Sequence, residues 1–358
     1  MTIEQLARPE ILALEPYVSA RMQASATVVA LDANECPWTL FGEPEWSLNR
    51  YPDPQPKSLL AALATRYGVP EERLLLTRGS DEGIDLLLRA FCRPGQDHIV
   101  DCPPCFGMYR VAAGVQGAGI RSVALGGENF GVDAAGIINA AQDVRLVFLC
   151  SPNNPTGGCV PGEVVLELCE RLKDQSLVVV DEAYIEFADS EGSSTLAGSV
   201  ENLVVLRTLS KAYGLAGARC GVVIAAPAVI EILRRIISPY PLPRPSVEAA
   251  LQAVDPANRQ LLARSISSLK DTRERLITSL ERLAYVRQVW ASEANFVLAR
   301  FDDGAGFYAF ARDRGVLLRD FGTQVGLEGC LRISCGSEAD MRALDQVFSA
   351  YQPGGVQT

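Results

Sequence analysis

An α/β fold is what this sequence predicts: a mainly parallel, seven-stranded sheet covered by helices, followed by a smaller α+β domain. Three observations carry the prediction. Short runs rich in Val, Ile and Leu recur between helical stretches, and they are continuous rather than alternating, as in strands buried on both faces. After the proline cluster Pro239 to Pro245 the pattern changes to long helical periodicity. The length, 358 residues, suits two cores better than one. In chain order the expected strands are 74–77, 98–101, 122–125, 146–150, 177–180, 203–206 and 221–225. A helix is expected from Ile84 to Cys92, directly after a glycine-bounded turn. Past the prolines, 265–283 reads as a long helix, with strands at 295–299 and 331–334. The expected division is an N-terminal arm with part of the small domain (1–41), a large domain (42–245) and a small C-terminal domain (246–358).

Composition narrows the function. The chain is 48% hydrophobic and 21% charged, enough apolar surface to offset chain entropy. A net charge of −10 opposes attraction to phosphate backbones and anionic lipid, so neither nucleic acid nor a membrane is an expected partner. The first residues lack a basic stretch followed by an apolar one, and no later run nears the roughly 20 apolar residues of a spanning helix, so a cytoplasmic location is expected. Ten cysteines, several inside apolar runs such as those of Cys150 and Cys220, suit reduced core thiols. Cys102 and Cys105 have the spacing of a redox or half-zinc motif, but no second pair follows. The single histidine, His98, excludes a Ser-His-Asp triad and HExxH zinc sites, and no metal is expected.

Lysine is scarce, with only Lys57, Lys173, Lys211 and Lys270 among 33 basic residues. Lys57 follows a proline-rich turn, and Lys173 and Lys270 fall on helical surface patterns. Lys211 stands just beyond a strand, in Arg207-Thr-Leu-Ser-Lys211, where open α/β sheets bind ligands. An amine there can form an imine with an aldehyde cofactor such as pyridoxal phosphate. That cofactor requires a carboxylate for its pyridine nitrogen, donors to its phenolate oxygen and a cradle for its phosphate. Asp181 emerges at a strand end in Val178-Val-Val-Asp181, and a buried carboxylate needs a cationic partner. Tyr184 and Asn154 are possible donors. The cradle is Gly79-Ser-Asp-Glu-Gly83, at the start of a helix whose free N–H groups favour an anion. Ser210 and Arg219 flank the lysine as further phosphate partners, Arg219 through a bidentate fork. Each piece alone has a plainer reading: a turn at Asn154, helix caps at Asp181 and at Gly79.

Taken in order, Leu31-Asp-Ala-Asn-Glu35, Arg50-Tyr-Pro-Asp53, Gly79-Ser-Asp-Glu82, Ser151-Pro-Asn-Asn-Pro-Thr-Gly157, Asp181-Glu-Ala-Tyr184, Arg207-Thr-Leu-Ser-Lys211, Gly217-Ala-Arg219 and Cys330-Leu-Arg332 resemble the fold-type I pyridoxal-phosphate aminotransferases. Within that group the chain resembles the histidinol-phosphate branch over nearly its whole length. The resemblance implies that Lys211 is the cofactor's lysine, Asp181 the pyridinium partner, and Asn154 and Tyr184 the phenolate-oxygen donors. It places Ser80, Asp81, Ser210 and Arg219 at the phosphate, with Tyr51 reaching in from the partner of a homodimer with shared active sites. Arg319 and Arg332 match arginines for anionic substrate groups, and Tyr17 and Asn34 match substrate-side positions. Phe106 stands where relatives carry tyrosine; its ring can stack on the cofactor but offers no hydroxyl. The implied reaction moves an amino group between L-histidinol phosphate and 2-oxoglutarate, giving imidazole acetol phosphate and L-glutamate in histidine biosynthesis. A broad aromatic aminotransferase or a threonine-phosphate decarboxylase would keep the same cofactor residues. A catalytically silent sensor domain would need an added DNA-binding module, for which the chain has no basic segment.

Overall fold

In a computed structural model of the protein, residues 2–15, 31–40 and 48–353 are described. Seven strands, β1 (Leu74–Thr77), β2 (His98–Asp101), β3 (Gly119–Ser122), β4 (Val144–Cys150), β5 (Leu177–Asp181), β6 (Leu203–Thr208) and β7 (Gly221–Ala225), form one sheet in the order β1-β7-β6-β5-β4-β2-β3. Neighbours from β3 through β6 pair in parallel, while β7 is antiparallel to both β6 and β1. Only β7 therefore runs against the rest. The continuous apolar runs have the expected cause. On β5, Leu177 and Val179 join one core cluster with Phe91 and Tyr109, while Val178 and Val180 join another with Leu63 and Leu168 on the opposite face. Burying each such aliphatic side chain contributes about 1.5–3 kcal/mol.

One strand lies three residues earlier than expected, at Gly119–Ser122 instead of 122–125. It is an edge strand with half-exposed side chains, so its own residues carry little apolar signal. Val123 and Leu125, which drew the expectation, pack against the core from the following loop, where the Leu125 N–H donates to the carbonyl of Pro103 at 2.8 Å. Gly119 is required at the pairing: a Cβ there would lie 2.2 Å from the His98 ring.

A second, antiparallel sheet has the order β10-β11-β9-β8, from β8 (Val286–Val289), β9 (Phe296–Phe301), β10 (Arg319–Asp320) and β11 (Cys330–Ser334). Leu276, Phe307 and Phe348, from the helices Arg259–Glu281, Gly304–Asp313 and Glu338–Ala350, fill its core. The long helix starts at Arg259, ahead of the expected 265, because it continues a 3₁₀ turn capped by the Asp255 carboxylate. Packing also crosses the expected domain limits. Ile3, Leu6 and Ile11 bury with Phe91 and Ile230 on the large sheet, and Val247 and Ala250 of the helix Arg244–Val254 bury on its other face.

The strand ends of β5 and β6 are tied on the face opposite Asp181. Arg207, on β6, donates to Glu182 and Ser194 through Nη1 and to Glu186 through Nη2, each at 2.9 Å, with its guanidinium 4.9 Å from the Tyr67 ring centroid. All three charged groups are almost fully buried. Removing one member of a buried ion network leaves uncompensated charge, at a cost of about 3–5 kcal/mol. Arg207→Ala is accordingly expected to lower the unfolding free energy by about that amount in urea. A change within about 0.5 kcal/mol would show that the network contributes nothing to stability.

Candidate active site

Because every strand of the large sheet except β7 points the same way, their carboxyl ends share one edge. Thr77, Cys150, Asp181 and Thr208 close β1, β4, β5 and β6 there. Reversed β7 begins at the same edge, with Gly221 opposite both Thr77 and Thr208. A cavity of about 140 Å³ opens there. Its lining includes Ser80, Asp81, Phe106, Asn154, Asp181, Tyr184, Ser210, Lys211 and Arg219, which are all the residues expected on the cofactor side except Tyr51.

One end of the cavity is built for an anion. The helix Ser80–Phe91 begins at it, presenting unpaired first-turn N–H groups. Gly79, with φ +78°, holds a backbone conformation that residues with side chains rarely adopt, and a Cβ there would displace the Arg219 guanidinium 2.6 Å away. Gly221 is equally constrained, since a Cβ would meet the Gly79 carbonyl carbon at 2.3 Å. Arg219 itself adopts a left-handed backbone, φ +54°, a conformation uncommon outside glycine. Its Nη1 donates to Ser210 Oγ at 3.4 Å and its Nη2 to Asp81 at 3.0 Å, while Thr208 Oγ1 donates to Ser210 Oγ at 2.9 Å.

At the deep end, Asp181 is 2% exposed. Its hydrogen-bond donors are neutral: Tyr109 Oη to Oδ2 at 2.8 Å and the Ala183 N–H to Oδ1 at 3.2 Å. Burial pushes its carboxyl up to about 6, against the two hydrogen bonds that pull it down. A buried carboxylate held by neutral donors alone fits a site completed by a cationic ring. Phe106 lines the cavity and meets the Tyr109 ring edge-on, with centroids 5.7 Å apart.

Lys211 Nζ lies 5.4 Å from the Tyr184 ring centroid. Burial lowers its pKa, helped by the positive charges of Arg332 and Arg219, so more of the free amine is present near neutrality. Tyr184 packs edge-on against Phe296 at 5.1 Å and accepts from Asn154 Nδ2 at 3.3 Å. Asn154 Oδ1 in turn accepts from Arg332 Nη1. Arg332 Nε is buried with no partner among the described residues. Arg319 stands opposite Arg332 across β10 and β11, and both guanidinium groups lie beside Phe321, 5.8 and 5.6 Å from its centroid.

Other expected residues fall elsewhere. Tyr51 stacks on Tyr240 at 4.6 Å and remains half exposed, outside the cavity of its own chain. Asn34 sits in an exposed segment with φ +54°, and Tyr17 lies outside the described residues. Lys173 and Lys270 pair with Glu170 and Asp189, and Lys57 begins a helix. All ten cysteines are unpaired, and burial pushes the Cys105 thiol up to about 12, away from redox reactivity. Among the described residues no helix is long and apolar enough to cross a membrane. The sequence reading missed Tyr109 and Phe321. Tyr109 had a signal, since it lies three residues beyond Phe106; Phe321 had none outside the fold.

The family model for class I and II aminotransferases matches residues 42–348. A histidinol-phosphate aminotransferase of Aeromonas hydrophila is 42% identical over 348 residues, covering 96% of this chain and 97% of that protein. One from Xanthomonas euvesicatoria is 43% identical over 355 residues, covering 98% and 97%. The crystal structure of a Sinorhizobium meliloti histidinol-phosphate aminotransferase in complex with pyridoxal-5′-phosphate superposes with a TM-score of 0.76 at 25% identity, over 84% of this chain and 83% of that one. With the strand-end cavity and its lysine, carboxylate and anion cradle, these likenesses establish that the chain belongs to the class I and II aminotransferase family, in its histidinol-phosphate aminotransferase branch.

Proposed function

We propose that the chain is a pyridoxal 5′-phosphate-dependent transaminase that moves an amino group between L-histidinol phosphate and 2-oxoglutarate, yielding imidazole acetol phosphate and L-glutamate. The observation that carries the reading is one cavity joining Lys211, Asp181, Tyr184 and an anion cradle, with the Arg332 side chain bonded to its Asn154. Bound pyridoxal phosphate supplies an aldehyde that condenses with amines and a ring that withdraws electrons from the carbon bearing the nitrogen.

The chain's own residues do the rest. Asp181 would hold the ring N–H and, staying ionised, would keep that ring positively charged. Tyr184 and Asn154, which line the cavity, would hold the ring oxygen, and Phe106 would pack against the ring. Ser80, Asp81, Ser210 and Arg219 form the phosphate end, where Asp81 orients the guanidinium. Lys211 holds the cofactor between turnovers, then carries the proton to and from the substrate carbon as general base and acid. Its lowered pKa suits that task. Arg319 and Arg332 grip the phosphate of one substrate and the carboxylate of the other, so one site serves both half-reactions. Tyr17 and Asn34 belong to the same substrate side. Tyr51, exposed and outside its own chain's cavity, completes the phosphate site of a second copy in a symmetric homodimer. The unpaired cysteines favour a reducing, cytoplasmic setting.

Three outcomes are expected. Lys211→Ala abolishes turnover, and borohydride reduction of the wild-type protein followed by peptide mapping places the pyridoxyl group on Lys211; an adduct on Lys57, Lys173 or Lys270 would refute the assignment. Arg319→Ala and Arg332→Ala each lower kcat/KM for histidinol phosphate about 10- to 150-fold, the worth of a charge-assisted hydrogen bond, and much less for histidinol, which carries neither phosphate nor carboxylate. Equal losses on all donors would favour a general aminotransferase.

The third outcome follows from Asp181. Its carboxyl is raised from 3.8 to about 6 in the folded chain. The native state thus binds the proton more tightly than the unfolded one; the resulting stability is complete below about pH 4 and is lost as pH rises through about 6. Cofactor-free Asp181→Asn should therefore be more stable than the cofactor-free wild type by up to about 3 kcal/mol near pH 7.5, with the gap shrinking toward about pH 5. A gap independent of pH in unfolding titrations would contradict this.

A further inference from the structure

We infer that Tyr109 is a positioning residue for the cofactor's ring nitrogen: its buried phenol orients the Asp181 carboxylate and holds it in the ionised form. The inference rests on the cofactor reading above and extends it to a residue that need not touch the cofactor.

Tyr109 is fully buried on the helix Met108–Gln116. Its ring stacks on Phe148 at 4.8 Å with planes 12° apart, a contact that phenylalanine would make equally well. The hydroxyl needs a separate reason, because a buried O–H without an acceptor costs free energy. Its acceptor is Asp181 Oδ2, at 2.8 Å. An ionised carboxylate can only accept, so the phenol is the donor. Burial, and next the charge of Asp181, push the Tyr109 pKa well up, so the donor keeps its proton across the working range.

The Ala183 N–H occupies one acceptor site on Oδ1, as Tyr109 does on Oδ2. Two fixed donors set the plane of the carboxylate and leave lone pairs for a ring N–H. The same phenol biases where the shared proton rests. With it, carboxylate and pyridinium are favoured; without it, the proton moves toward the carboxyl group and the ring becomes a weaker electron sink. The other titratable groups acting on Asp181 or Lys211 are Asp81 from the helix Ser80–Phe91, Glu182 beside Asp181, Tyr184 in the loop after β5, Cys150 at the end of β4, and Arg219 and Arg332. None of them donates a hydrogen bond to Asp181.

The test compares wild-type and Tyr109→Phe holoenzymes, each reconstituted with pyridoxal phosphate or with 1-deazapyridoxal phosphate, whose ring nitrogen is replaced by carbon. With the natural cofactor, Y109F should lower kcat about 10-fold or more with KM for the amino donor little changed. It should also move the midpoint of the cofactor's visible pH titration up by about one pH unit. With the deaza cofactor the two proteins should titrate alike, because there is no ring nitrogen for Asp181 to hold. Phe148→Leu, which disturbs the packing but not the hydrogen bond, should leave the midpoint in place. A Y109F midpoint equal to wild type, or the same shift with both cofactors, would overturn the inference and reduce Tyr109 to packing. A wild-type protein that takes up no pyridoxal phosphate would instead overturn the cofactor reading on which it rests.

Discussion

The interaction on which the site depends is a carboxylate buried in the wrong surroundings for a charge. Asp181 closes a fully buried strand, is held by a phenol and a backbone amide, and has its carboxyl raised to about 6. Left to itself such a group destabilises the fold, and a buried carboxylate becomes favourable only when a cation is supplied at the right distance. In the reading proposed above, a protonated pyridine ring is that cation. The cost in the empty chain and the electron-withdrawing power of the loaded one are therefore two consequences of a single placement.

Sheet topology brings the other groups to that carboxylate. Since only β7 is reversed, loops from β1, β4, β5 and β6 and the approach to β7 meet at one edge. The anion cradle comes from the loop after β1, Asn154 from that after β4, Tyr184 from that after β5, Lys211 from that after β6, and Arg219 from the approach to β7. The glycines at 79 and 221 let these backbones approach more closely than any side chain would permit. On the other face the Arg207, Glu182 and Glu186 network fixes β5 against β6, so the strand end at Asp181 and the one that leads to Lys211 keep their register. The second sheet contributes through Arg332, which donates to Asn154, itself a donor to Tyr184, and so ties the two sheets together at the cavity.

Much of this was legible in the chain. Buried parallel strands announce themselves as continuous Val, Ile and Leu runs, and the chemistry at their ends is found by asking which polar residue follows each run; Asp181 and Lys211 are both found this way. Edge strands are less legible, since β3 buries little and its glycine start answers to the His98 ring across the pair, a contact between distant residues. The division of the chain was obscured for the same reason: Leu6 and Val247 bury against the large sheet although neighbouring residues lie outside the run of strands. Tyr109 was missed, because a hydroxyl's acceptor 72 residues away is set by the fold. Tyr51 stacks on Tyr240 and does not line the cavity of its own chain, a placement its motif alone does not reveal.

The central claim is that Asp181 keeps the cofactor ring nitrogen protonated. It is tested most directly by ¹⁵N NMR of the holoenzyme carrying pyridoxal phosphate labelled at that nitrogen. A pyridinium shift retained up to about pH 9 in the wild type, and lost in Asp181→Asn, is the result this account requires. A wild-type shift typical of neutral pyridine near pH 7.5 would contradict it.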